Sequence, residues 1–377
     1  MKVTLKQIAD IAGVSRGTVD RALHDRAGIN PQVRKQILAV ARELNYQPNL
    51  AGRQLSAKKS GIRFGVILPY DDKTGSWNDV HQGIRAAQLE LAGYGVEVVL
   101  RNYAHYTAKE QIALIDQLVE TGINGLAIVP TNAPLMRQRL QSLADGGLPI
   151  IIFNSTVEGF SPLCYVGTDY ALNGRTAAGL LHMLSGSRRI ELAIMTGASN
   201  MFSSTTRIRG LLQELDALGA NCHLIDTYKL FSADESSDRE YAYELTVRML
   251  RQHPELNAVF TVAGSVQTVA RAIADEGLSG RIIHLAFDLN RDTIPSLQNG
   301  SITAVIGQES FRQGYQPLKL LFDHVVNCIQ LPASIILKSE LFIKQNAMLD
   351  RTLYSPLSTV TPVPADESSG EKKVSLT

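Results

Sequence analysis

From about residue 62 to 345 the chain alternates two patterns of apolar residues. Short runs of consecutive apolar, mostly β-branched residues (62–68, 96–100, 125–129, 150–153, 190–195, 257–262, 282–286, 302–306) read as buried strands. Between them lie longer segments with apolar residues every three to four positions (78–93, 108–120, 134–144, 170–184, 205–218, 238–252, 265–276, 309–329), which read as amphipathic helices. Strand and helix alternating over so long a stretch predict parallel sheets covered by helices, and the length suits two such lobes. In open sheets of this kind ligands bind beyond the carboxyl ends of the strands.

Residues 1–60 are different. Leu5, Ile8, Ala9, Ile11 and Ala12 form an apolar stripe, Gly13 suits a left-handed turn, and Ser15 is placed to cap a helix opening at Arg16. A third helix is expected from Asn30 as cap and Pro31 at its first position, carrying Val33, Ile37, Val40, Ala41 and Leu44 until Pro48 stops it. Asn49 can cap one more short segment, from Leu50 to Ala57, which is short for an isolated helix and weakened by Gly52. From about Asn346 the chain is rich in Ser, Thr and Pro and is expected to be disordered. The expected organisation is therefore a head (1–47), a hinge and linker (48–60), a two-lobed body (61–345) and a tail (346–377).

A chain of 377 residues with 45% hydrophobic and 19% charged residues has the composition of a globular protein. No apolar run reaches the roughly 18 residues of a membrane span, and the start lacks the apolar stretch of a secretory signal, so a cytoplasmic location is expected. Cys164, Cys222 and Cys328 are widely spaced and read as reduced thiols. The net charge of +1 hides an asymmetry: residues 1–60 hold eleven basic and four acidic residues, and the remainder 26 and 32. A basic head on an acidic body implies a polyanion partner at one end. Phosphate-loop, zinc-protease, nucleophile-elbow and dinucleotide motifs are absent, so neither an enzyme nor a cofactor or metal site is expected.

The stretch from Thr4 to Leu55 closely resembles the DNA-binding head of the LacI/GalR family of transcriptional regulators. Ala9, Gly13-Val14-Ser15, Thr18-Val19, Leu44-Asn45-Tyr46, Pro48-Asn49 and Leu55 carry the resemblance. Helical geometry independently puts Val19, Ala22 and Leu23 on one side of the second helix and Arg16, Gly17, Asp20 and Arg21 on the other. Two arginines on an open face suit guanine edges in the major groove. The resemblance implies that Arg16, Gly17 and Arg21 read bases, with Thr4, Ser15, Thr18 and Asp20 also at the DNA. It further implies that the hinge, with Asn49 and Gly52, enters the minor groove as a dimer pair in which Leu55 wedges between base steps. The implied partners are a pseudo-palindromic operator, a second copy of the chain and a small effector.

Residues 62–345 resemble, more loosely, the periplasmic-binding-protein-like sensor of the same family. By that resemblance Trp77 is an aromatic plate for a sugar face, Arg207 is the arginine of an R-x-x-G pattern, and Gln308 is the ligand glutamine after the strand ITAVIG. Asn154 and Asp288 close strands, and Arg207 and Asp288 are expected to face one cleft from separate strand ends. Such a set suits a sugar or polyol. Ala263-Gly264 stands where many sugar sensors carry Asn-Asp, which removes two hydroxyl partners. The sequence alone leaves two rivals, a transport solute-binding protein and a sugar-processing α/β enzyme.

Overall fold

A computed structural model describes residues 3–23, 28–44, 53–54, 57–58, 60–70, 77–197, 201–231, 239–262 and 264–347. The head is three helices, α1 (Leu5–Ala12), α2 (Arg16–Leu23) and α3 (Pro31–Glu43). Each start has its local cause. Thr4 and Gln7 exchange side-chain and backbone bonds across the first turn of α1, Ser15 Oγ accepts from the Thr18 amide at 3.1 Å, and Asn30 accepts from the Gln32 amide with Pro31 behind it. Gly13, at φ 67°, ends α1. Ile8, Ala9, Ala12, Val19, Ala22, Ile37 and Ala41 form the small core. The third helix ends at Glu43, earlier than Pro48, and residues 45–52 lie outside the described residues.

The body has two lobes. In the first, β1 (Arg63–Pro69), β2 (Glu97–Tyr103), β3 (Gly125–Ile128), β4 (Ile150–Phe153), β5 (Cys164–Gly167) and a late strand, β11 (Ser334–Ile336), form a parallel sheet in the order β11-β5-β4-β3-β1-β2. Helices α4 (Asn78–Ala92), α5 (Ala108–Glu120), α6 (Pro134–Asp145) and α12 (Ser310–Val325) cover it. The second lobe contains β6 (Ile190–Thr196), β7 (Cys222–Lys229), β8 (Ala258–Thr261), β9 (Ile283–Phe287), β10 (Ala304–Gly307) and β12 (Glu340–Phe342), ordered β12-β10-β9-β8-β6-β7. All are parallel except β12, which runs antiparallel to β10. Its helices are α7 (Tyr170–Ser185), α8 (Phe202–Ala217), α9 (Arg239–Gln252), α10 (Val266–Asp275) and the short α11 (Thr293–Gln298).

The two sheets share one strand order, and the helix pairs repeat as well. In the first lobe α4 and α12 touch through Gly83 and Gly314, where an added Cβ would collide with the carbonyl oxygens of Phe311 and Val80 respectively. In the second, α7 and α8 touch through Gly174 and Gly210, where it would collide with those of Arg207 and Ala171. Only glycine allows backbones this close.

The chain passes between lobes three times, at Thr168–Asp169, Gln308–Glu309 and Leu337–Ser339. Described structure continues through Ala347, two residues into the stretch read as tail: Asn346 accepts from the Ile343 amide at 2.7 Å and Ala347 is buried in the second lobe. Residues 348–377, the rest of the expected tail, lie outside the described residues. Four strands were not expected: β5, β7 and the three-residue β11 and β12.

Candidate functional site

On the head, the packing of α2 leaves one face open. Val19 and Ala22 are buried, whereas Arg16, Gly17 and Arg21 are exposed and Thr18 and Asp20 half-buried. Gly17 has only Ser15 Oγ within 4 Å of an added Cβ, so the open face has neither a side chain nor an obstruction at this position. Thr4 and Ser15 spend their hydroxyls on helix starts. Asn49, Gly52 and Leu55 lie outside the described residues. Of the linker, Arg53 donates to the Asn327 carbonyl beyond α12, and Ala57 is buried in the first lobe's core.

The body's cleft is built from the strand ends. Asn154 follows β4 and Asp288 follows β9, strands with the same place in their sheets, and both residues adopt left-handed backbone, φ 59° and 67°. Gln308 occupies the second crossing and is 3% exposed. Its Nε2 donates to Asp288 Oδ1 at 2.7 Å, and its Oε1 accepts from Arg207 Nη2 and, at 3.4 Å, from the Thr168 hydroxyl. Ser310 adds a bond to Asp288 Oδ1 at 3.2 Å. Asn154 Nδ2 donates to Gln313 at 2.8 Å, and Gln313 Nε2 donates to the Gln308 carbonyl at 2.9 Å. Asn154, Arg207, Asp288 and Gln308 are thus brought into one network.

Arg207 comes to that network from a helix, not from a strand end as expected: it lies in the second turn of α8, where the close α7–α8 contact buries it. Its Nη1 donates to the Val262 carbonyl at 3.1 Å, and the guanidinium lies 3.9 Å from the centroid of the Phe287 ring and 4.8 Å from that of Tyr170. Arg207 and Asp288 form no direct ion pair. Burial raises the Asp288 carboxyl above its ordinary range, against the lowering influence of Arg207, Gln308 and Ser310. Burial likewise pushes the Tyr170 phenol up to about 12, although the Arg207 charge opposes it.

The same network laces the crossings together. Asn173 donates to Thr168 Oγ1 at 3.1 Å and accepts from Ser339 Oγ at 2.6 Å, and the Lys338 amide donates to Glu309 at 2.9 Å. Thr168, Asn173, Ser310 and Gln313 were not anticipated as site residues. Gln313 had a readable signal, a polar residue on the apolar side of α12 beside Gly314, Pro317, Leu318 and Leu321. The others had none.

Trp77 stands at the start of α4, half-buried against the first lobe's core, and residues 71–76 before it are outside the described set. At another edge of the cleft the rings of Tyr106, after β2, and Phe231, after β7, meet at 5.6 Å between lobes. Phe231 also accounts for Gly264: φ is 72° there, and an added Cβ would lie 2.7 Å from the phenyl ring. No group of three or more His, Cys, Asp or Glu positioned to hold a metal occurs among the described residues. No helix among them is long and apolar enough to cross a membrane.

Comparison with known proteins agrees with both halves. Residues 4–49 match the family described as bacterial regulatory proteins, lacI family, and residues 64–327 match the periplasmic binding protein domain. The HTH-type transcriptional regulator AglR of Rhizobium meliloti is 27% identical over 357 residues, 91% of this chain and 94% of its own. The ribose operon repressor of Bacillus subtilis is also 27% identical, over 88% of this chain and 97% of its own. Among solved structures, a solute-binding protein of Burkholderia graminis in complex with D-arabinose shares the fold with a TM-score of 0.68 at 21% identity, covering 76% of this chain and 96% of its own.

Proposed function

Because the chain belongs to the bacterial regulators that join a lacI-family head to a periplasmic binding protein domain, we propose that it is a sugar-responsive DNA-binding repressor. The observation that carries this reading is the pairing of a basic three-helix head, its α2 arginines exposed, with a two-lobed body whose strand ends gather an arginine, a carboxylate and two amides. The head binds a pseudo-palindromic operator as a homodimer. Arg16, Gly17, Asp20 and Arg21 face base edges, Thr4, Ser15 and Thr18 approach the backbone, and Asn49, Gly52 and Leu55 serve the minor groove. The cleft holds a sugar or polyol through Asn154, Arg207, Asp288 and Gln308, with Trp77 against an apolar ring face. Work on DNA places the protein in the cytoplasm, and it performs no catalysis.

Hinged lobes supply the coupling. A ligand that touches both lobes favours one relative position over another, and Arg53 and Ala57 connect the linker to the first lobe, so the paired hinges respond to the lobe position. The experiment is selection of operators from random DNA by the full chain, followed by titration of the selected DNA with and without neutral sugars. Expected are a palindromic site, two chains per site and a sugar that changes the affinity. Absence of sequence preference would refute the regulator, and an affinity unmoved by every sugar would refute the sensor.

A further inference from the structure

Buried hydroxyls are nearly always hydrogen-bonded, because leaving one without a partner costs about 1–3 kcal/mol. Among the described residues, four almost wholly buried hydroxyl side chains that follow strand ends break this rule. Thr131, beyond β3, and Ser155, beyond β4, are 0% exposed; Ser204, in the first turn of α8, is 2% and Ser265, beyond β8, 1% exposed. None of the four hydroxyl oxygens has a hydrogen-bond partner, and the Nε of Arg207, one turn from Ser204, has none either. Ser265 is the more telling because it occupies the N-cap position of α10, where serine ordinarily accepts from the helix's own amides; here it makes no such bond and holds φ at 22°. Two of the four belong to each lobe, and every one follows the carboxyl end of a parallel strand.

We infer that the hydroxyls of Thr131, Ser155, Ser204 and Ser265 are ligand contacts, two from each lobe, and that the molecule they hold is an uncharged polyol. The inference rests on the sugar-sensor reading and deepens it. A hydroxyl both donates and accepts, so it matches another hydroxyl in either role. The nearby charges favour no anion: the two terminal nitrogens of Arg207 are engaged by Val262 and Gln308, which leaves its Nε, and the guanidinium lies near Asp288, while Asp79 of α4 adds a second carboxylate to the surroundings of Asp288. A cationic ligand finds Asp288 Oδ1 already accepting from Gln308 and Ser310.

The test is thermal shift and calorimetric titration of the full chain with D-ribose, D-arabinose and myo-inositol as neutral probes, and D-ribose 5-phosphate, D-gluconate and D-glucosamine as charged ones. Ser204→Ala and Ser265→Ala should each weaken the best neutral probe roughly three- to tenfold. They should leave the melting temperature without probe unchanged or raised, since each removes an unsatisfied group. Ser185→Ala, which removes a buried unpartnered hydroxyl at the far end of α7, should leave probe binding unchanged. Variants that bind the probe as well as the parent, or that lose stability without it, would overturn the inference and leave the sugar sensor standing. Tighter binding of a charged probe would overturn the uncharged ligand alone, and no binding by any probe would overturn the sensor reading as well.

Discussion

Asp288 and Arg207 share one amide instead of bonding each other: Gln308 donates to the carboxylate and accepts from the guanidinium. A neutral group therefore mediates between a buried guanidinium and a half-buried carboxyl, each from the second lobe, while sitting on a chain crossing. Gln308→Leu would leave both charged groups short of a partner. The expected loss is about 2–3 kcal/mol of stability, measured by urea unfolding, together with the ligand response.

Arg207→Ala and Asp288→Asn are expected to reduce sugar affinity about tenfold or more, with ligand-free operator binding nearly intact. Titration calorimetry and DNA binding measured on the same preparations separate the two effects. Loss of operator binding without sugar would instead assign the pair to holding the lobes together.

The close helix crossings give a sharper structural expectation. Gly174→Ala and Gly314→Ala must push apart backbones already in contact, and each should cost roughly 2 kcal/mol or more. Gly179, in the same helix α7, has nothing within 4 Å of an added Cβ, and Gly179→Ala should gain up to about 1 kcal/mol. Denaturant midpoints of the three variants decide it.

His284 is fully buried with both ring nitrogens engaged. Nδ1 faces the Ser301 carbonyl at 2.8 Å, so it carries the proton, and Nε2 accepts from Thr261 at 2.8 Å. Burial lowers its pKa from 6.5 to about 4. As pH falls the unfolded chain takes up the second ring proton first, so the stability contribution is complete above pH 6.5 and is lost as pH falls toward 4, by roughly 3 kcal/mol in all. Unfolding midpoints between pH 7 and 4 should show that slope in the parent and lack it in His284→Gln.

On DNA, binding should weaken steeply with salt because the head holds eleven basic residues against four acidic ones, while the remainder of the chain is acidic on balance. Arg21→Ala should lose about 1–3 kcal/mol at one base pair, read as relaxed preference in competition with altered sites. Equal weakening on all sequences would make Arg21 a phosphate contact.

Much of this architecture was legible because burial leaves periodic traces. The helix expected over 108–120 is α5 to the residue, since Thr107 accepts from the Glu110 amide at its start. β7 escaped because it lies at a sheet edge with none of its residues buried, and its sequence CHLIDTYK lacks an apolar run. β11 and β12 have three residues each and exist by pairing alone. Asn154 and Asp288 could be placed because strand ends are predictable, and Gln308 through the family resemblance. Ser204 and Ser265 could not: a serine after a strand looks like any loop residue until burial and missing partners are known.

The three crossings have a mechanical consequence. Neither lobe is one continuous stretch of chain, so force applied between lobes is carried by three tethers at once. Thr168 touches Gln308, Asn173 touches Ser339 and Glu309 touches Lys338, which binds the tethers into a strap. A strap of this kind resists twisting between the lobes more than it resists bending about its own axis. Cutting any one tether with a protease would leave the lobes joined by two, and the nicked protein would travel as a single particle until denatured.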